Sequence, residues 1–166
     1  MLDHAPLSNA CANGKILPLY IVEPNLWRQP DVSYRHFLHL QHYLSQLDDM
    51  FTKRGAKLVI KVGEALPVLK SLAARHNVKA IFSHYETWNK FSKDRDSVIR
   101  QWTDENSIDW KEYQQNGVVR NLNSRDGWST LWHGHMRKKI YEIPEKIFCV
   151  SEDSDNLPSC QEMSLE

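Results

Sequence analysis

Four short apolar runs, separated by stretches with helical periodicity, constrain this 166-residue chain more than any other feature. The runs occupy residues 15–22, 57–62, 78–83 and 108–113, and Asn13, Gly14, Pro24 and Asn25 bound the first with turn-forming residues. A continuous apolar run of this length suits a strand covered on both faces. Between the first two runs, Phe37, Leu40, Leu44, Leu47 and Phe51 recur at helical spacing. That spacing predicts one buried stripe on a helix capped by Ser33 and ending near Gly55. Residues 64–76 carry Leu66, Leu69, Leu72 and Ala73 in the same manner, and residues 94–106 turn Val98, Ile99 and Trp102 inward. A first helical turn is expected within residues 6–12. Strands alternating with helices imply parallel pairing, right-handed crossovers and a helical layer on each face. The fold class is therefore α/β, doubly wound, around a mostly parallel sheet. Pro18 lacks a backbone donor and counts against a fully paired central position for the first strand.

Beyond Gln114 the alternation stops, which divides the chain into an α/β domain over 1–115, a basic aromatic segment over 116–150 and an acidic tail over 151–166. The middle segment holds Arg120, Arg125, Trp128, Trp132, Arg137, Lys138 and Lys139, whereas the tail has few apolar residues and is expected to be disordered. Lys plus Arg and Asp plus Glu both total 21, so the net charge of +0 supplies no overall attraction to nucleic acid. Hydrophobic residues at 41% and charged residues at 25% fit an ordinary globular chain, and no apolar run nears the roughly 18–20 residues that cross a membrane. Cys11, Cys149 and Cys160 form no paired spacing, so neither a zinc site nor a disulfide framework is indicated. No charged-then-apolar leader opens the chain. The default location is cytoplasmic.

No motif declares chemistry. Neither phosphate-cradling glycine pattern is present, and no Gly-x-Ser-x-Gly elbow occurs. His36, His39 and His42 drift around one helix without a third placed ligand, so they read as a solvated face rather than a metal site. His133 and His135 flank a glycine and read no further. Asp94 is expected to cap the third long helix. No catalytic or metal-ligating residue is assigned. In open α/β sheets, ligands settle outside the carboxyl ends of the strands. The segments there contain Glu23, Trp27, Tyr85, Glu86 and Asn89, with His84, Trp88 and Phe91 among them. Aromatic walls with a few carboxylate and amide groups suit a planar heteroaromatic ligand, and they equally suit loops packed on a helix or on another domain.

The residues from Leu17 to Met136 resemble the amino-terminal domain of the DNA photolyase/cryptochrome family. The segment opening at Leu17 and ending in Glu23-Pro24 looks like the family's second strand, and the one running from Gly55 to Gly63-Glu64 resembles its short strand ending in Gly-Asp or Gly-Glu. Tyr85-Glu86 and Asp94-Arg95-Asp96 are similar to the pairs that open the family's next helix. The stretches opening at Gly117 and at Ser124 resemble a bacterial branch. The resemblance implies a Rossmann-like domain with the first family strand missing, since that strand precedes the family signature and would be central. A gap so left would orphan backbone groups at about 1–3 kcal/mol each, so something is expected to fill it.

The resemblance further implies a fragment of a light-dependent DNA-repair lyase or blue-light receptor. This domain would position an antenna chromophore of folate, deazaflavin or flavin type, bordered by Glu23, Trp27, Tyr85, Glu86 and Asn89. Asn89 matches half of an asparagine–glutamate pair that holds folate in some members, and Lys90 stands in place of the glutamate. FAD would belong to the helical domain, which lies outside this chain. That flavin-binding domain is the implied partner, and damaged DNA would be reached only through it. The chain alone is expected to be catalytically inactive and to self-associate through its docking face. The alternatives are a free-standing adenine-nucleotide-binding α/β domain, which needs a glycine-rich loop where only Gly63 stands, and a non-catalytic docking module.

Overall fold

A computed structural model describes residues 1–120, 122 and 124–165. Asn121, within the motif opening at Gly117, and the terminal Glu166 of the tail lie outside the described residues. The elements run α1 (Ala5–Asn13), β1 (Leu19–Val22), α2 (Pro24–Trp27), α3 (Tyr34–Thr52), β2 (Val59–Val62), α4 (Ala65–His76), β3 (Ala80–His84), α5 (Lys90–Glu105), β4 (Asp109–Tyr113) and α6 (Trp128–Met136).

All four expected strands form, and all pair in parallel: β1 with β2, in register Leu19 to Val59, and β3 with β4, in register Ala80 to Asp109. β1 is shorter than its apolar run because the residues before it serve elsewhere. Ile16 donates to the Phe148 carbonyl at 2.9 Å and accepts from Val150 at 3.0 Å. The α3 stripe is as the spacing predicts, with Phe37, Leu44 and Phe51 buried and Leu40 and Leu47 packed beside them. Gly55 adopts φ +80°, the left-handed turn that stops this helix and that an L side chain resists.

The sheet is split. β1–β2 and β3–β4 form two separate two-stranded ladders, and a cleft of about 820 Å³ lies between them, lined by Leu19 and Ile21 on one side and by Ala80 to His84 on the other. Of the ways expected to fill the gap, direct closure of β1 on β3 does not occur. The halves do not close because helices on both faces span them. Leu7 of α1 packs in the core of Leu44, Phe51 and Leu58 while α1 also lies against β3. Ala65, Ile99 and Trp102 of α4 and α5 pack with Ile21 on one half and Ile81 on the other.

Three further differences have local causes. α5 begins at Lys90, a turn before Asp94, because the Asn89 side chain accepts from the Ser92 amide at 3.0 Å and takes the cap position. Val98 is about half exposed, and only Ile99 and Trp102 of the expected trio are buried, because Val98 lies about 100° around the helix from Ile99. The tail is ordered against the body. Ser154 and Asp155 bond the outer edge of β2, through Ser154 Oγ accepting from Ile60 N at 2.9 Å, Asp155 N donating to the Ile60 carbonyl at 2.9 Å and Asp155 Oδ2 accepting from Val62 N at 2.8 Å. Met163 then closes a core of Val22, Trp27 and Phe37. An edge strand leaves unpaired backbone groups, and here the acidic tail supplies the partners.

Candidate functional site

The carboxyl ends of β1 and β3 are joined by charge. Glu23, the residue after β1, is 3% exposed. Its Oε2 accepts from the Ala65 amide at the start of α4 at 3.0 Å, and its Oε1 accepts from Arg95 of α5 at 2.7 Å. Arg95 also donates twice to Asp96 Oδ1, at 2.9 and 2.8 Å. Burial alone would lower the Arg95 pKa, but the hydrogen bonds to Asp96 and the charge of Glu23 raise it overall. Tyr20 beneath them is pushed up to about 12, first by burial and then by Glu23 and Glu86.

Two more guanidinium groups, of Arg100 and Arg120, lie outward of this cluster. Arg120 donates to the Glu86 carbonyl, pairs with Glu112 at 3.2 Å and lies 4.4 Å over the Tyr85 ring. Arg100 pairs with Glu112 and sits 4.1 Å over Trp110. On the opposite wall, His4 and His84 rings meet at 4.6 Å, and His4 Nδ1 accepts from Leu7 N as the α1 cap. Burial and the neighbouring His84 lower the His4 pKa to about 4, so the ring is neutral and free to accept.

The five expected binding residues do not border one pocket. Glu23 and Glu86 both line the cleft, Glu23 from beneath and Glu86 at an exposed lip. Trp27 is buried edge-to-face on Phe37, centroids 4.8 Å apart, under Met163. Tyr85 is covered by Arg120 and donates to the Val118 carbonyl at 2.6 Å. Asn89 caps α5 and reaches Asp31 at 3.0 Å. Both oxygens of Glu23 are already bonded. The residues present therefore do not fit an antenna chromophore held among these five side chains. Among the described residues no group of three or more His, Cys, Asp or Glu could hold a metal, and no helix is long and apolar enough to cross a membrane.

What sequence periodicity missed is α6, which buries none of its nine residues although it carries Trp128, Leu131, Trp132 and Met136. Gly117 backs it: the Trp128 indole donates to the Gly117 carbonyl at 3.0 Å, and the Trp132 ring fills the space a Cβ on Gly117 would need. A surface hollow of about 440 Å³ lies beside it, lined by Gly117, Val118, Val119, Leu122, Arg125 and Trp128. The available signal was the density of tryptophan after Gly127, a left-handed glycine at the helix start.

The structure is an α/β domain of parallel two-stranded ladders flanked by helices, with a charge-tied strand end and an aromatic helix that buries none of its residues. The family model described as DNA photolyase matches residues 1–126, and the chain belongs to that family. Among solved structures, it is similar to a bacterial class III photolyase from Agrobacterium tumefaciens, at 17% identity and TM-score 0.74 over 93% of this chain and 34% of that one. A Synechocystis cryptochrome gives 18% identity and TM-score 0.75 over 96% of this chain and 37% of the other. An archaeal photolyase from Sulfolobus tokodaii, described with two FAD molecules, gives 23% identity and TM-score 0.63 over 98% and 38%. No curated protein matches significantly. The chain thus spans about a third of the length of these structures and corresponds to their amino-terminal Rossmann-like domain. The family binds flavin and antenna cofactors, and its full-length members pair this domain with a carboxyl-terminal helical flavin domain.

Proposed function

We propose that this chain is the docking half of a cytoplasmic, light-dependent flavoprotein of the DNA-repair or blue-light-sensing kind, seating a helical flavin domain on α6 and the segment leading from it. The observation that carries this reading is the nine-residue helix with no buried side chain. The row continues through Ile140, 57% exposed, and Tyr141, beside the basic Arg137, Lys138 and Lys139. An apolar surface of this kind rimmed by charge marks an interaction site. Flavin chemistry and any antenna chromophore of the complete protein would be seated by other residues than the five discussed above, and this chain contributes orientation of the partner domain. Damaged DNA would be met through that partner.

The test is co-expression of the chain with a separately encoded helical flavin domain from a class III photolyase. Expected outcomes are co-purification, blue-light dimer repair by the pair and none by the chain alone. Loss of co-purification in Leu131→Asp with unchanged folding would support α6 as the seat. Co-purification untouched by Leu131→Asp and Met136→Asp together would place the seat elsewhere.

A further inference from the structure

The chain contains two Asn-Gly pairs, Asn13-Gly14 and Asn116-Gly117, and both asparagines are exposed. A glycine after asparagine has no Cβ to shield its backbone nitrogen, so that nitrogen can reach the asparagine side-chain carbonyl. Exposure does not separate the two pairs. Their hydrogen bonds do.

Asn116 lies in the bend after β4. Its Oδ1 accepts from Val118 N at 3.0 Å. A side chain bonded to the amide two residues on folds its carbonyl over the intervening peptide, here the Gly117 nitrogen. The same bond places a donor on the oxygen that gains charge when Cγ is attacked, as an oxyanion hole does. Gln114 Nε2 donates to the Asn116 main-chain carbonyl at 2.8 Å. Drawing electrons toward that oxygen acidifies the N–H of the same peptide, which belongs to Gly117. Among the described residues, Gly117 N has no acceptor of its own. The Tyr85 hydroxyl and Gln114 Nε2 donate to the Val118 carbonyl at 2.6 and 3.2 Å, so the bend is held in this arrangement before any reaction. Asn13 differs on each count. It is the last residue of α1, and its Nδ2 donates to the Asn9 carbonyl at 2.7 Å. Side chains on a helix lean toward its amino end, so this bond holds the Asn13 amide away from Gly14 N and ties down the nitrogen that would leave.

We propose that Asn116 is a site of spontaneous deamidation that ages the α6 seat. Gly117 N loses its proton to water and bonds to Asn116 Cγ. The Cγ–Nδ2 bond breaks, and that nitrogen takes up a proton and leaves as ammonia. Water then opens the succinimide at either carbonyl, giving aspartate or isoaspartate with no change of oxidation state. Isoaspartate routes the main chain through an extra methylene immediately before Gly117. The Gly117 carbonyl receives the Trp128 indole, and the Trp132 ring fills the space beside its Cα, so the change reaches both tryptophans of α6. The modification stands on the geometry of the bend, and its effect on docking rests on the reading of α6 as the seat of the flavin domain.

Peptide mapping of the folded chain, aged at mildly alkaline pH, is the test. Trypsin releases residues 112–120, in which Asn116 is the only asparagine, and residues 1–15, which hold Asn13. In the folded chain Asn116 should convert about tenfold faster than Asn13, and in urea the two rates should converge. Val118→Pro removes the N–H but keeps the carbonyl that Tyr85 holds, and it should slow Asn116 toward the Asn13 rate. Equal rates in the folded chain, or a Val118→Pro rate equal to that of the parent, would overturn the proposal. Tryptophan fluorescence should change in step with isoaspartate content and stay constant in aged Asn116→Ser, which keeps an oxygen acceptor for Val118 N. Conversion with unchanged fluorescence would overturn the ageing of α6. The aged chain should also lose capture of the flavin domain while aged Asn116→Ser retains it. Failure of the fresh chain to capture that domain would refute the docking reading alone, because the peptide map still decides the modification.

Discussion

Glu23 and Arg95 meet at 2.7 Å across the split in the sheet, one at the strand end of the first ladder and the other on α5, the helix that connects the two strands of the second. With the Ala65 amide on its other oxygen, the Glu23 carboxylate ties β1, α4 and α5 together at a point where the ladders themselves do not touch. Its side chain is 4% exposed and that of Arg95 20% exposed, so removing one partner leaves a charge with poor access to water. We predict that Glu23→Ala lowers unfolding free energy by about 3 kcal/mol. Urea titration checks it: an unchanged midpoint would show that the two halves are held by their helices alone.

Acid should loosen the molecule in two stages. The His4 pKa is lowered from 6.5 to about 4 by burial, then by His84 and the amino terminus. A histidine depressed in the folded state stabilises above its unfolded pKa, and that contribution fades as pH falls from about 6.5 toward 4. Glu152, with its side chain 8% exposed, accepts from Arg75 at 2.8 Å, pairs with Lys61 at 2.9 Å and meets His76 at 2.5 Å. Hydrogen bonds from Arg75, Lys61 and His76 hold its carboxyl down from 4.5 to about 2. Its contribution is present above about pH 4.5 and is lost as pH falls toward 2. In a pH series of unfolding midpoints, His4→Asn, which keeps an N-cap acceptor, should flatten the upper stage, and Glu152→Gln the lower. A single stage untouched by either change would refute the assignment.

The four strands and the α3 stripe were legible because period and burial are set by local spacing: Phe37, Leu44 and Phe51 had to share a face. The start of α5 was not, because Asn89 and Asp94 are both good caps, and the contact that holds Asn89 in place comes from Asp31, 58 residues away in sequence. Loop aromatics at the strand ends supported a pocket and a packing role equally. The structure uses Trp27 and Tyr85 for packing, through Phe37 and Arg120, which lie ten and thirty-five residues away in sequence and on other elements. The tail defied composition because its order depends on a strand edge and on a hole above Val22, neither visible in the tail itself.

Gly117 carries a steric prediction. A Cβ there would collide with the Trp132 ring, and the Gly117 carbonyl also receives the Trp128 indole. Gly117→Ala is expected to displace Trp132 and to weaken docking of the flavin domain about tenfold, with little change in the unfolding midpoint because α6 buries none of its side chains. Tryptophan fluorescence should shift in parallel. A midpoint change as large as that of Glu23→Ala would instead make α6 part of the folding core.

The tail makes the last prediction. Met163 is 4% exposed and seals Val22, Trp27 and Phe37, with Leu157 and Leu165 beside it. Truncating a buried methionine costs about 2–5 kcal/mol in a closed core, and the lower end applies here because Met163 lies in a short turn, which relaxes into the space more readily than a central helix. Met163→Ala should therefore destabilise by about 2 kcal/mol and expose Trp27, whose indole nitrogen is buried without a partner. Exposure would hydrate that nitrogen and red-shift the emission of a single tryptophan, read most cleanly in Trp27→Phe as the control. The Ser154 and Asp155 bonds to β2 lie eight residues or more before Met163 and should persist, so proteolysis of Met163→Ala should trim the terminus and stop short of Asp155. Cleavage running through to Ser151 would show that Met163, rather than the edge pairing with β2, anchors the whole tail.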